Sequence, residues 1–137
     1  MFTLSNEKDH KIMINHLLGE KACSPQVVQV MDQLRREWFL PNGTLMQNLR
    51  PNAIGHNQTM SAPFIVASMT ELLELSGGEK VLEIGSGCGY QTAVLIGMGA
   101  DVYSVEYIPE LAEFGRKNLT NIALCSNIKC GDGYFGW

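Results

Sequence analysis

Positively charged residues are scarce in this sequence. The chain of 137 residues holds 10 Lys and Arg against 14 Asp and Glu, which gives a formal net charge of −4. No basic run is longer than the pair Arg35-Arg36. Nucleic acids are polyanions that proteins bind through clustered Lys and Arg, so this composition argues against a nucleic-acid partner.

Cysteine is also sparse, and its spacing does not favour a metal site. The four cysteines, Cys23, Cys88, Cys125 and Cys130, form no Cys-x-x-Cys pair and lie near no pair of histidines. We therefore expect neither a metal site nor a disulfide framework, and we assign no metal ligand. Reduced thiols are typical of cytosolic proteins, so we expect a cytoplasmic location.

Long apolar runs are absent as well. No apolar segment approaches the roughly 20 residues that a membrane-spanning helix needs. The first seven residues show no basic segment followed by an apolar one, as a secretory signal would. We expect a soluble protein with no membrane partner. The 45% content of apolar residues is nevertheless enough to form the core of one compact unit.

The pattern along the chain changes near residue 60, and the first segment, residues 1–60, is helical and turn-rich. An amphipathic helix is predicted from Asp9 to Glu20. A second helix begins at Ser24-Pro25, continues through Trp38 and ends at Pro41-Asn42-Gly43. Between Asn42 and Pro63, proline, glycine and amide residues predict an extended loop.

In the second segment, residues 61–137, short apolar strands alternate with helices. This alternation predicts an α/β fold with a parallel sheet. The predicted elements are a helix at Pro63–Leu75, a strand at Lys80–Ile84, a helix at Tyr90–Met98, a strand at Asp101–Glu106, a helix at Pro109–Asn121 and a strand at Asn127–Cys130.

A glycine-rich turn joins the first predicted strand of this segment to the helix that follows it. Gly85, Gly87 and Gly89 lie in the sequence VLEIGSGCGY. Glycine permits unusual backbone dihedrals and lets a ligand approach without a side chain in the way. Glu106 ends the next strand, where its carboxylate can accept hydrogen bonds from ribose hydroxyls. The arrangement predicts a site for a nucleoside cofactor.

Three features favour S-adenosylmethionine over a dinucleotide. The third glycine is Gly89, whereas the dinucleotide fingerprint would place it where this chain has Tyr90. Glu83 precedes the loop, and a carboxylate there would attract the ammonium group of a methionine moiety and repel pyrophosphate. Asp132 follows the third predicted strand, where it can accept a hydrogen bond from an adenine amino group.

Five segments resemble the protein-L-isoaspartate O-methyltransferase family in order and spacing. They are Gly55–Pro63, Met69–Leu75, Val81–Ala93, Tyr103–Glu106 and Gly131–Tyr134. The pattern Gly-x-x-Gln-Thr-x-Ser-x-Pro in the first of them is particular to this family, so it carries most weight. The resemblance extends from about Ser24 to the last residue. It implies the class I S-adenosylmethionine-dependent methyltransferase (Rossmann-like) fold, with an N-terminal helical and substrate-loop segment at 1–60 and a cofactor-binding half at 61–137.

The resemblance also implies an activity and a set of site residues. Members of the family transfer a methyl group to the free carboxylate of isoaspartyl residues in proteins or peptides, and the ester collapses to a succinimide in a repair cycle. Gln58 and Thr59 would lie on the substrate loop, with Ser61 at the active-site position. The cofactor-binding residues would be Glu83, Gly85, Ser86, Gly87 and Gly89 for the methionine half, Glu106 for the ribose, and Asp132 with Gly133 for the adenine.

The sequence departs from the family pattern at several places. The chain stops at Trp137, after the third strand, where family members continue with further strands. We therefore expect a C-terminally truncated member whose first strand is an open edge of an incomplete parallel sheet. That edge predicts self-association or a partner chain. Phe64 stands where the family often has His or Tyr, and Asn57 replaces a frequent glycine.

Other interpretations stay open at this point. The early end of the chain favours a non-catalytic cofactor-binding remnant or interaction module, and the motifs also fit a methyltransferase of peptide natural products. Ser61 could serve only as a helix cap, and the glycine run could be only a tight turn. His10 and His16 are expected at the surface of the first helix, and Cys88 is expected to be a small filler residue.

Overall fold

The structure is a computed structural model that describes residues 4–21 and 23–137. Five helices and five strands follow one another in the described ranges. In chain order they are α1 (Leu4–Glu20), α2 (Pro25–Gln33), β1 (Asn52–Gly55), β2 (Gln58–Met60), α3 (Pro63–Leu72), β3 (Lys80–Ile84), α4 (Tyr90–Gly97), β4 (Asp101–Glu106), α5 (Pro109–Asn121) and β5 (Asn127–Cys130), with short 3-10 helices at Arg36–Phe39 and Gly133–Phe135.

A three-stranded parallel sheet forms the second half of the molecule. β4 lies between β3 and β5. Leu82 pairs with Tyr103, and Ser104 pairs with Ile128. The predicted α/β fold with a parallel sheet is confirmed, and all three predicted strands have the predicted bounds.

Helices connect the parallel strands, because neighbouring parallel strands need a crossover. α4 joins β3 to β4, and α5 joins β4 to β5. α5 begins at Pro109, whose fixed φ suits a first helical turn. Its buried face recurs at intervals of three and four residues, at Leu111, Ala112, Gly115, Asn118 and Leu119. These crossovers bring the carboxyl ends of all three strands to one edge of the sheet.

The largest apolar cluster contains residues from both halves of the chain. It includes Met13 and Leu17 of α1, Met31 of α2, Val94 of α4 and Leu119 of α5. The helices pack closely: a Cβ added at Gly97 of α4 would come within 2.5 Å of Val30 Cγ1 on α2. Residues 1–60 and 61–137 therefore share one core. Among the helices described, none is both long and apolar enough to cross a membrane.

The segment predicted as an extended loop contains an antiparallel hairpin instead. β1 and β2 pair with Asn52 opposite Met60 and Gly55 opposite Gln58. The two residues between them, His56 and Asn57, have φ values of 54° and 57°. Positive φ at both central positions is the geometry of a two-residue hairpin turn. The turn residues are not the Asn-Gly or Asp-Gly pair that usually marks such a turn, so the sequence pattern does not predict this hairpin.

Three predicted helices end earlier than expected, and one of them, α4, differs by a single residue, ending at Gly97 instead of Met98. α2 ends at Gln33, because Leu34 and Arg35 are extended, with ψ values of 107° and 120°. The chain then forms the separate 3-10 helix that buries Arg36 and Phe39. α3 ends at Leu72 rather than Leu75, and the backbone turns at Glu74, where φ is 50°.

The expectation that His10 lies at the surface is wrong. Its side chain is 6% exposed, and its Nε2 lies 2.9 Å from the carbonyl oxygen of Asp32 and 3.1 Å from Asp32 Oδ1. This contact joins α1 to α2. An apolar pattern could not anticipate it, because the partner lies 22 positions away along the chain.

β3 is an edge strand of the described sheet. It pairs with β4 on one side only, and Leu82 and Ile84 are 50% and 56% exposed. The aromatic side chains of Tyr134 and Phe135 are also highly exposed. The open edge predicted for the first strand of the sheet is present among the residues that the structure describes.

Candidate functional site

A cavity of about 340 Å³ lies at the carboxyl ends of β3 and β4. Ligands of open α/β sheets bind at this edge, and small-molecule sites begin at about this volume, roughly 300 Å³. The lining comes from the β1–β2 hairpin, the glycine loop, the end of β4 with the start of α5, and the segment after β5. The lining residues are Ile54, Gln58, Thr59, Ile84, Gly85, Gly87, Val105, Glu106, Tyr107, Ile108, Leu111 and Gly133.

The glycine loop has the left-handed backbone that its sequence predicts. The φ values are 86° at Gly85, 51° at Gly87 and 87° at Gly89. A Cβ at Gly87 would lie 3.2 Å from Ile54 Cδ1, and one at Gly89 would lie 3.1 Å from the carbonyl oxygen of Gly115. The loop is therefore clamped between the hairpin and α5, and it forms part of the cavity wall.

Glu106 connects the loop to the end of β4. Its side chain is 6% exposed. Oε2 accepts a hydrogen bond of 2.8 Å from the Gly87 N–H, and Oε1 accepts one of 3.0 Å from the Ile108 N–H. A carboxylate offers about four acceptor positions, so both oxygens keep capacity for a further donor. Glu106 also lines the cavity, as its predicted role requires.

Glu83 is the second-to-last residue of β3, just before the glycine loop. Its Oε2 accepts hydrogen bonds from the hydroxyl groups of Thr92, at 2.6 Å, and Ser104. Burial raises the pKa of this carboxyl above its ordinary value, although the two hydroxyl donors oppose the shift. Glu83 does not line this cavity. Its carboxylate instead connects β3 to α4 and β4 through these two hydroxyl groups.

A smaller cavity, of about 60 Å³, lies beside the first one. The two share Thr59, Gly85 and Gly87. Ser61 and Ser86 also line the smaller cavity, together with Met60, Val66, Cys88, Tyr90 and Gln91. Ser86 Oγ and Gln91 Oε1 are buried without a hydrogen-bond partner among the described residues. Buried polar atoms are costly to leave unpaired, so this wall has donors and acceptors available for a ligand.

Ser61 does not cap a helix. The N-cap position of α3 is Ala62, and no side chain caps that end. Ser61 is exposed at the mouth of the smaller cavity, while its backbone carbonyl accepts a hydrogen bond of 2.8 Å from Arg36 Nη1. The interpretation of Ser61 as only a helix cap is therefore wrong.

The segment after β5 contributes Gly133 to the large cavity. A Cβ at Gly133 would collide with Ile84 Cγ2, so the Ile84 side chain would have to move. Asp132 is exposed and lies outside the lining. Its Oδ1 accepts a hydrogen bond of 2.9 Å from the Tyr134 N–H, which holds the turn that presents Gly133.

Several residues at the site had no assigned role from sequence. Tyr107 and Ile108 line the cavity directly after Glu106, and their position after a strand end is a signal that could have found them. Asn118 of α5 donates a 3.0 Å hydrogen bond to the carbonyl of Cys88 in the glycine loop. No sequence pattern links these two positions. Burial raises the pKa of the Cys88 thiol to about 11, so the thiol is neutral at physiological pH.

Comparison with known proteins places this geometry in a family. Residues 7–137 match the family described as protein-L-isoaspartate(D-aspartate) O-methyltransferase. The chain belongs to this family. Among relatives named protein-L-isoaspartate O-methyltransferase, one from Gloeobacter violaceus is 44% identical over 129 residues, which cover 91% of this chain and 63% of that protein. One from Methanothrix thermoacetophila is 47% identical over 121 residues, which cover 83% of this chain and 57% of that protein.

Solved structures of the same family share the fold. One named protein-L-isoaspartate O-methyltransferase superposes with a TM-score of 0.77 at 26% identity and covers 96% of this chain. Another, from Plasmodium falciparum and in complex with S-adenosyl-L-homocysteine, has a TM-score of 0.71 at 24% identity. The Rossmann-like fold implied by the sequence resemblance is confirmed. This chain spans 44% and 62% of the lengths of those two chains.

Proposed function

We propose that this protein transfers a methyl group from S-adenosylmethionine to the free carboxylate of isoaspartyl residues in proteins or peptides. One observation carries the proposal: a single cavity is lined both by Gln58 and Thr59, from the family's characteristic segment, and by the glycine loop with Glu106. Methyl transfer requires the methyl donor and the methyl acceptor to bind in the same cavity. The names of the relatives and the S-adenosyl-L-homocysteine in one related structure support the same activity.

The described residues fit the proposed cofactor. Glu106 has acceptor capacity left for the ribose hydroxyls. Gly85, Ser86 and Gly87 leave the backbone open beside the methionine half, with the unpaired Ser86 Oγ available as a partner. Gly133 forms the adenine end of the wall, held by the Asp132 turn. Gly89 packs the loop against α5, and any contact of Glu83 with the methionine ammonium is a proposal to be tested.

For this reaction the main task of the protein is to align the acceptor carboxylate with the methyl group on sulfur. Bound S-adenosylmethionine would supply an electrophilic methyl group on a positively charged sulfur. A carboxyl group with a pKa of roughly 4 is already an anion at neutral pH, so no base is needed to activate it. In this proposal Ser61 orients the acceptor carboxylate by a hydrogen bond, and Gln58 and Thr59 hold the peptide. Positioning of this kind can lower a barrier by several kcal/mol.

We further propose a role in protein repair in the cytoplasm. The methyl ester of an isoaspartyl residue is a good precursor of a succinimide, which can reopen to a normal peptide bond. The four cysteines are unpaired in the structure, as is typical of a reducing compartment. Within this proposal, residues 1–60 form the helical and substrate-loop segment and residues 61–137 form the cofactor-binding half.

Two measurements on the purified chain test the proposed function. The first is calorimetric titration with S-adenosylmethionine, and the second is methyl transfer to an isoaspartyl peptide compared with its aspartyl twin. We expect binding together with transfer to the isoaspartyl peptide alone. Binding without any transfer would favour the cofactor-binding remnant, and equal transfer to both peptides would contradict the proposed substrate.

A serine substitution tests the alignment step. Ser61→Ala should leave the affinity for S-adenosylmethionine unchanged and reduce kcat by about tenfold, the effect of losing one orienting hydrogen bond at roughly 1.4 kcal/mol. Ser126→Ala, remote from both cavities, is the control. A loss of cofactor affinity in Ser61→Ala would show that this serine belongs to the cofactor site instead.

A further inference from the structure

Arg36 is a fully buried cation in the 3-10 helix that follows α2, with an exposed fraction of 0%. Burying a guanidinium is costly unless its donors are satisfied. Burial lowers its pKa from the ordinary arginine value. None of the ion pairs found among the described residues includes Arg36. Its two terminal nitrogens donate to backbone carbonyl groups instead, whereas its buried Nε has no hydrogen-bond partner among the described residues.

Those carbonyl groups flank the hairpin that carries Gln58 and Thr59. Arg36 Nη1 donates a 2.8 Å hydrogen bond to the Ser61 carbonyl, and Nη2 donates a 3.3 Å hydrogen bond to the Arg50 carbonyl. Arg50 lies just before β1, and Ser61 lies just after β2. One planar guanidinium therefore holds both ends of the hairpin at a fixed separation. A lysine ammonium has no rigid fork with which to do this.

The same guanidinium also contacts the start of α4, which follows the glycine loop. Its Cζ lies 5.2 Å from the centroid of the Tyr90 ring, within the range of a cation–π interaction. Tyr90 is the first residue of α4, directly after Gly89. The ring is 1% exposed and makes an edge contact with Phe39 at 5.3 Å between centroids. Ser61 and Tyr90 both line the smaller cavity.

We propose that Arg36 is a positioning residue that fixes the position of the β1–β2 hairpin relative to the glycine loop. It acts through the Ser61 and Arg50 carbonyls on one side and the Tyr90 ring on the other, and it does not line either cavity. Its effect on methyl transfer rests on the proposed function, whereas its effect on the hairpin does not. Loss of the fork should loosen the hairpin while the sheet stays intact.

Hydrogen exchange of the backbone amides tests the structural part without any ligand. We expect Arg36→Lys and Arg36→Gln to speed exchange in residues 52–60 by at least tenfold more than in β4. Arg50→Gln is the matched arginine control, because its side chain is exposed and its backbone carbonyl is retained. Leu95→Ala, in the separate small cluster with Ala100 and Val102, provides a destabilised control. Equal acceleration of the hairpin in Leu95→Ala at matched stability would overturn the proposal.

A measurement on the unaltered protein covers the case in which the Arg36 variants fail to fold. Exchange in increasing, sub-denaturing urea should show residues 36–39 and 52–60 opening together, with one free energy and one urea dependence, before β3 and β4 open. Independent opening of the hairpin, with residues 36–39 still protected, would refute the proposed link.

Activity assays then separate this inference from the proposed function. Arg36→Lys should reduce kcat for the isoaspartyl peptide at least tenfold and change cofactor affinity less than threefold. Arg36→Gln should reduce kcat further than Arg36→Lys does. Unchanged kcat in both variants would overturn the positioning role. If the unaltered protein transfers no methyl group, the proposed function fails, while hydrogen exchange still decides whether Arg36 holds the hairpin.

Discussion

At the scale of single residues, the carboxylates of Glu83 and Glu106 have different structural roles because their surroundings differ. Glu106 lines the cavity and connects the glycine loop to β4, whereas Glu83 does not line the cavity and accepts hydrogen bonds from two hydroxyl groups. Glu106 is the last residue of β4, and Glu83 is the second-to-last residue of β3. The sequence analysis assigned both carboxylates to the cofactor. Both side chains are buried, so their hydrogen-bond partners and their position relative to the cavity distinguish them.

Glu106→Ala should weaken S-adenosylmethionine binding at least several-fold. The variant loses acceptors for the ribose and also leaves the Gly87 N–H without its charge-assisted partner. Calorimetry measures the affinity, and Glu110→Ala, an exposed carboxylate in the first turn of α5, is the control. Asp132→Ala should also weaken binding, by loosening the turn at Gly133. Unchanged affinity in both site variants would contradict the assignment.

Glu83→Gln should remove a pH dependence of stability. Burial raises the pKa of Glu83 in the folded protein, so the folded state holds this proton more tightly than the unfolded chain does. The associated stability is present below the unfolded pKa of roughly 4.3 and is lost as the pH rises through the folded pKa. Glutamine keeps an oxygen acceptor for Thr92 and Ser104 but does not titrate.

Thermal unfolding as a function of pH measures this effect. The unaltered protein should lose Tm relative to Glu83→Gln as the pH rises from about 4 through the folded pKa of this group. Glu20→Gln, at the exposed end of α1, controls for removing one negative charge. Parallel Tm curves for the unaltered protein and Glu83→Gln would mean that Glu83 ionisation does not limit stability.

At the scale of elements, the glycine loop depends on close packing against α5. Gly89 has a φ of 87°, and a Cβ there would lie 3.1 Å from the backbone oxygen of Gly115. Gly89→Ala should therefore lower the free energy of unfolding by about 2 kcal/mol or more, since it combines backbone strain with a clash against backbone. Urea denaturation measures the change.

Gly19 offers a matched control for that substitution. It lies in α1, and nothing approaches its added Cβ within 4 Å. Gly19→Ala should stabilise the protein by up to about 0.5–1 kcal/mol, because alanine favours the helix. Equal effects of the two alanine substitutions would show that loop strain and α5 packing contribute nothing at Gly89.

At the scale of the whole molecule, the exposed edge of β3 predicts self-association. Leu82 and Ile84 are half-exposed on a strand that pairs on one side only in the described sheet. Sedimentation velocity should show an average mass that rises with protein concentration. Leu82→Lys should weaken this association, because a charge on an edge strand opposes pairing. Leu45→Lys, in an exposed loop position, should not. A concentration-independent monomer would exclude self-association at this edge.

The alternation of apolar strands and helices was readable from sequence because it reflects local periodicity. The bounds of β3, β4, β5 and α5 came out as predicted. Parallel pairing then brings the strand ends together by topology alone, so Gly85, Glu106 and Gly133 converge on one cavity. The family segment Gly55–Pro63 likewise identified Gln58 and Thr59 as residues of that cavity.

Contacts between distant parts of the chain were decided only by the tertiary structure. The hairpin turn at His56-Asn57 uses positive φ without a glycine, and its ends are held by Arg36, whose partners lie 14 and 25 positions away. Local sequence determined the three parallel strands, the helices between them and the position of the glycine-rich turn. Packing determined which polar groups are buried, because burial depends on neighbours that are far apart in sequence.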